Sequence, residues 1–109
     1  MEIRQKDGVT VISVDQRLDA LAAPQFREII KKMAKESKVK LVIDMAKTTF
    51  MDSSGCGVLV ASLRTLLKNH GHIRIARQTP QAKRLFELTR LDRVFDIYEA
   101  LDEAIISFR

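Results

Sequence analysis

Tryptophan is absent from this 109-residue chain, cysteine occurs once, and there are only 2 prolines and 4 glycines. The single Cys56 excludes a disulfide framework within one chain and a multi-cysteine zinc site. Low proline and glycine exclude collagen-like and low-complexity classes. Aromatics are limited to 5 Phe and 1 Tyr, with no interleaving of aromatic and basic residues such as stacks single-stranded nucleic acid. Long apolar runs are missing too: none exceeds five residues, whereas roughly 18 are needed to cross a bilayer. Glu2, Arg4, Lys6, Asp7, Asp15, Arg17 and Asp19 put too many charges near the start for a signal-peptide core. The expectation is a cytoplasmic protein with no membrane role, in which Cys56 stays reduced.

What is present is 46% hydrophobic and 30% charged residues. That length reads as one domain over residues 1–109, able to bury a core without covalent staples. Basic residues outnumber acidic ones by 19 to 14, for a formal charge of +5. Such a surplus is compatible with nucleic acid, an acidic protein partner or an anionic surface, and selects none of them.

Strand and helix patterns alternate without a linker. Residues 2–6 and 9–14 flank Asp7-Gly8, a two-residue hairpin signal. Pro24 opens a helix with Phe26, Ile29, Ile30 and Met33 on one face and Arg27, Lys31, Lys32 and Lys35 on the other. Residues 39–45 form a strand with a continuously apolar centre, the pattern of burial on both faces of a sheet. A helix is expected from about Gly57 to Asn69, with Val58, Leu59, Leu63, Leu66 and Leu67 inward and Gly71 as its left-handed cap. Ile73, Ile75 and Ala76 continue as a strand, and Thr79-Pro80 starts a helix burying Ala82, Leu85, Phe86 and Leu88. Val94 to Tyr98 reads as the last strand and 99–107 as the last helix. The predicted order ββαβαβαβα is an α/β fold, a mixed central sheet flanked by helices.

Phe50-Met51-Asp52-Ser53-Ser54-Gly55-Cys56-Gly57-Val58 joins the most buried strand to the next helix. Its glycines and the helix start favour an anion. No lysine follows the glycines, so this is no Walker loop. Neither serine has glycines two before and two after it, so it is no hydrolase elbow. His70 and His72 lie past the far end of the helix, about 20 Å off at 1.5 Å per residue, beyond reach of a serine nucleophile. His70-Gly71-His72 lacks companions for a metal site. Enzymatic chemistry is therefore not expected, and two roles stay open for the serines: helix capping or phosphorylation.

Phe50 to Val58 resembles the signature loop of the STAS domain family, specifically of bacterial anti-sigma factor antagonists. That loop runs aromatic, hydrophobe, Asp-Ser-Ser/Thr/Ala-Gly-Leu-Gly-Val. Leu41-Val42-Ile43-Asp44, Leu18-Asp19, Pro80, Lys83-Arg84-Leu85-Phe86-Glu87-Leu88-Thr89 and Leu91 resemble further family segments, so the likeness spans nearly the whole chain. It implies a non-enzymatic switch that binds an anti-sigma factor serine kinase and so releases a sigma factor. It implies Ser53 as the phosphoacceptor, a serine phosphatase that reverses the mark, and ATP on the kinase, leaving this chain with no cofactor. Asp19, Asp52, Ser53, Ser54, Gly55, Cys56 and Gly57 are the implied partner-binding set. A STAS adaptor subunit of a lipid-transport ABC system or of a larger signalling assembly, without phosphoserine, is the alternative. Cys56 stands where the family usually has Leu, and Gln16 where a Gly often precedes Leu-Asp. Residues 64–93 hold Arg64, Lys68, Arg74, Arg77, Lys83, Arg84, Arg90 and Arg93 against only Glu87 and Asp92. The positive surplus thus lies beside the loop in sequence, where it can steer an acidic partner surface rather than nucleic acid.

Overall fold

Asp7 and Gly8 both adopt left-handed backbone, with φ of 53° and 77°, the geometry that turns one strand back on its neighbour. β1 (Glu2–Lys6) and β2 (Val9–Ser13) accordingly pair antiparallel in the computed structural model, which describes residues 1–109. β4 (Lys40–Asp44), β6 (His72–Ala76) and β7 (Asp96–Tyr98) then add in parallel, giving the order β1-β2-β4-β6-β7. The sheet is mixed and β4 is central, as its apolar run implies. Leu41, Val42 and Ile43 are fully buried.

Successive strand side chains point to opposite faces, so β4 serves two cores. Leu41 and Ile43 join the larger one, under α1 (Ala23–Met33), α2 (Ser53–Leu67) and α3 (Pro80–Thr89), with Phe26, Leu59, Leu66 and Phe86. Val42 joins a smaller one with Val9, Val11 and Ala76, capped by Ala104 and Ile105 of α4 (Leu101–Ile106). No helix is long and apolar enough to cross a membrane.

Several details differ from the sequence pattern. Two two-residue strands, β3 (Arg17–Leu18) and β5 (Phe50–Met51), pair parallel as a separate small sheet; they are too short to show a period. α2 starts at Ser53 rather than near Gly57, because Asp52 supplies its cap. Leu88 is exposed, since it lies about 200° around α3 from buried Phe86. Leu67, in the last turn of α2, is half exposed. The left-handed residue after α2 is His70, φ 63°, not Gly71. Gly71 instead lets two backbones meet, as a Cβ there would lie 2.8 Å from the Val39 carbonyl oxygen. Residues 91–93 form a 3-10 turn, which shortens the last strand to Asp96–Tyr98 and puts Phe95 against Phe86, ring centroids 6.2 Å apart.

Candidate functional site

Past the C-terminal end of β4 the chain turns through buried Thr48, whose hydroxyl donates to the Asp15 carbonyl at 2.9 Å. The Gln16 carbonyl accepts the Thr49 and Phe50 N–H groups. Gln16 therefore serves through its backbone, and the side chain in place of the family's glycine is exposed. β5 is thereby laid against β3, and Arg17 stacks its guanidinium 4.2 Å from the centre of the Phe50 ring.

Asp52 follows in extended conformation and uses both carboxylate oxygens. Oδ1 accepts the Gly55 N–H at 3.0 Å, capping α2, and Oδ2 accepts the Ala20 N–H at 3.1 Å. The second bond ties the α2 start to the segment after β3. Gly55 is buried there, and a Cβ on it would lie 2.0 Å from the Leu18 carbonyl oxygen. Only glycine permits that approach.

Asp19 organises the other side of the junction. Its carboxylate accepts from Arg17 Nε, Leu21 N–H and Ala22 N–H, each at 3.1 Å, and its carbonyl accepts the Ala22 and Ala23 N–H groups that begin α1. The Arg17 hydrogen bond, then the Ala22 N–H, hold the Asp19 carboxyl below its ordinary value against a smaller opposing effect of burial. Both carboxylates are thus fixed in place by backbone donors.

Ser53 and Ser54 occupy the first turn of α2, exposed, with hydroxyls that make no intramolecular hydrogen bond. Capping falls to Asp52, so the serines do not perform it. Their backbone N–H groups belong to the unsatisfied donors of a helix start. Gly57 is exposed with open space about it, whereas Gly55 is buried and cannot itself touch a partner. Cys56 is half-buried against the larger core. Burial, then the nearby Asp52 charge, push its thiol up, which opposes thiolate chemistry. His70 and His72 sit at the opposite end of the sheet, and no three His, Cys, Asp or Glu side chains are grouped to hold a metal ion.

Sequence reasoning missed two features. Leu21, in the Asp19 turn, is 90% exposed; no pattern marks a lone exposed leucine. Asp44, closing β4, is buried, accepting from Arg77 Nε at 3.0 Å and from Arg77 Nη2 and Ser13 Oγ. A charge directly after a fully apolar strand is the signal that could have found it.

The family model for the STAS domain matches residues 1–104. The anti-sigma-B factor antagonist of Listeria monocytogenes is 29% identical over 98 residues, covering 89% of this chain and 86% of its own. A crystal structure of an anti-sigma factor antagonist from Mycobacterium paratuberculosis is 32% identical, covers 99% of this chain and 92% of its own, and superposes with a TM-score of 0.87. The Bacillus cell fate determinant SpoIIAA, solved in its phosphorylated form, shares the fold at 24% identity, 99% and 98% coverage and a TM-score of 0.76.

Proposed function

The chain belongs to the STAS domain family, and from that footing we propose that it is an anti-sigma factor antagonist controlled by phosphorylation. In this reading it binds an anti-sigma factor that is a serine kinase, releases a sigma factor, and loses that grip when Ser53 is phosphorylated. A serine phosphatase restores it. The chain is a binding protein rather than an enzyme, and ATP belongs to the kinase. Relatives at 29% and 32% identity bear the antagonist name.

The observation that carries the reading is the condition of Ser53. It is the first residue of α2, exposed, with a free hydroxyl beside unsatisfied helix-start amides. A phosphate there brings nearly two negative charges to the positive end of the helix dipole. Asp52 cannot swing away, because two backbone N–H groups hold its carboxylate. The added charge therefore alters the surface that a partner meets more than it alters the fold. Ser53, Ser54 and Gly57 offer direct contact, while Asp19, Asp52 and Gly55 position the backbone and Cys56 packs behind it.

The test is phosphorylation by the cognate kinase with ATP, read by mass spectrometry. One phosphate is expected on Ser53, and none in Ser53→Ala. A phosphate elsewhere, or equal kinase affinity for both forms, overturns the switch. Co-purification of a transporter ATPase in place of a kinase would favour the adaptor reading.

A further inference from the structure

On the α4 side the sheet is only partly covered. α4 sets Ala104 and Ile105 on Val9, Val11, Val42 and Ala76, with Tyr98, Leu101 and Phe108 packed at the margin. Strand alternation puts Lys40, His72 and Arg74 on this same side, with Lys40 directly opposite His72 in the ladder and Arg74 opposite Val42. Lys38 and His70 come from the turns that lead into the two strands. These five residues, with Val39 and Phe108, line an open depression of about 380 Å³, within the usual size of small-molecule sites.

The frame is built firmly. Lys38 and His70 both hold left-handed backbone, and the turns are joined by the Lys38 N–H donating to the Asn69 carbonyl at 2.8 Å. The His72 N–H donates to the Val39 carbonyl at 2.9 Å, and the Asn69 amide group donates to the Ala34 carbonyl at 2.8 Å.

No carboxylate lines the depression. Arg74 is its wall: Nε donates to Ser107 Oγ at 3.1 Å, the guanidinium lies 4.4 Å from the Phe108 ring centre, and Nη1, buried, sits 3.4 Å from Asp96 without a hydrogen bond. Lys38 and Lys40 have no ion-pair partner, as holds for every lysine of the chain except Lys6, so their charges are free to meet a ligand. Arg74 faces Asp96 across the β6–β7 ladder, so the basic residues left without an acidic register partner are Lys40 and the His72 opposite it. The helix dipole accounts for Lys31 and Lys32 in the last turn of α1, but not for Lys40 and His72 in strands.

We propose that this depression binds the phosphate group of a small soluble ligand. Lys38 and Lys40 supply the charge, the His70 and His72 rings supply N–H donors, and Arg74 and Phe108 form the wall. Lysine binds phosphate as a point charge, and two lysines match the double charge of a phosphate better than the single charge of a carboxylate. The depression lies at the opposite end of β4 from the Ser53 turn, and the 15 residues of α2 separate Ser53 from its His70 rim by about 20 Å at 1.5 Å per residue. It rests on no part of the phosphoserine reading, and Ser53→Ala is expected to leave it unchanged.

The test is an NMR titration of the isotope-labelled chain with pyrophosphate, against acetate and sodium chloride at matched ionic strength. Saturable shifts are expected at the amides of residues 38–40 and 70–74 with pyrophosphate alone. Each lost charge-assisted bond should weaken binding about tenfold or more, so the Lys38→Gln, Lys40→Gln double variant should abolish saturation in the same range. A Lys31→Gln, Lys32→Gln variant on α1 should bind normally, and unaltered spectra away from the substitutions confirm that each variant is folded. Shifts that follow ionic strength alone, or that survive the double substitution, overturn the proposal. Sedimentation with phosphatidic-acid vesicles without any pyrophosphate response overturns it too, because the phosphate would then be a headgroup's.

Discussion

Asp44 places a charge at the end of the most buried strand, and its partners decide what that charge does. Burial pushes its carboxyl up, but the Arg77 hydrogen bond, then the Ala46 N–H and the Ser13 hydroxyl, outweigh burial and hold it below the ordinary 3.8. A carboxyl lowered in the folded state contributes stability that is complete above its unfolded value and is lost as pH falls through the folded one. Urea midpoints should therefore fall on acidification below 3.8, and Asp44→Asn should show a shallower decline. Arg77→Gln should cost about 2 kcal/mol at neutral pH in the same assay, less than for a fully buried pair because Arg77 is half exposed. An unchanged midpoint in Arg77→Gln would show that the remaining donors suffice.

At the scale of elements, the start of α2 is governed by one aspartate and one glycine. Gly55 and Gly57 look equivalent in the sequence, yet one is jammed against Leu18 and the other faces open space. Gly55→Ala should destabilise by about 3 kcal/mol, because neither backbone can yield cheaply. Gly57→Ala should stabilise by about 0.5–1 kcal/mol through lower unfolded-state entropy and better helix propensity. Chemical denaturation of the pair checks both signs at once. α3 provides a parallel case. Thr79 accepts the Ala82 N–H at 3.1 Å and donates its hydroxyl to the Thr48 carbonyl. Thr79→Ala should cost about 1 kcal/mol or more, and should loosen the turn that leads to β5.

Across the whole molecule, charge is distributed by the fold rather than by sequence order. The basic residues of 64–93 do not form one patch beside Ser53: Arg74 pairs with Asp96 on the α4 side, and Arg77 is taken up by Asp44. Steering of an acidic partner would therefore rest on exposed groups such as Lys83, Arg84 and Arg90. Stability and affinity should separate in Ser53→Asp. A charge on an exposed residue near the helix dipole should change unfolding free energy by less than about 0.5 kcal/mol, while binding to the kinase falls. Calorimetric melting beside a binding titration measures the two together; a parallel loss of both would show that the site couples to the fold.

Much of this protein follows from local patterns. Asp7-Gly8 dictates a hairpin, the apolar run 39–45 dictates a central strand, and Thr79-Pro80 dictates a helix start, since each depends on conformational preferences of a few adjacent residues. The loop from Phe50 to Val58 was likewise legible, because its residues are contiguous and their family likeness is specific. What the sequence could not decide is which partner each group finds across the chain. That Asp52 reaches Ala20, that Gly55 rather than Gly57 must lack a side chain, and that Asp44 meets Arg77 are contacts between residues about 30 or more positions apart, or consequences of them. So is the meeting of Lys38 and Lys40 with His70, His72 and Arg74. Such contacts exist only once the sheet has aligned its strands, because register, not spacing along the chain, sets which side chains share a face.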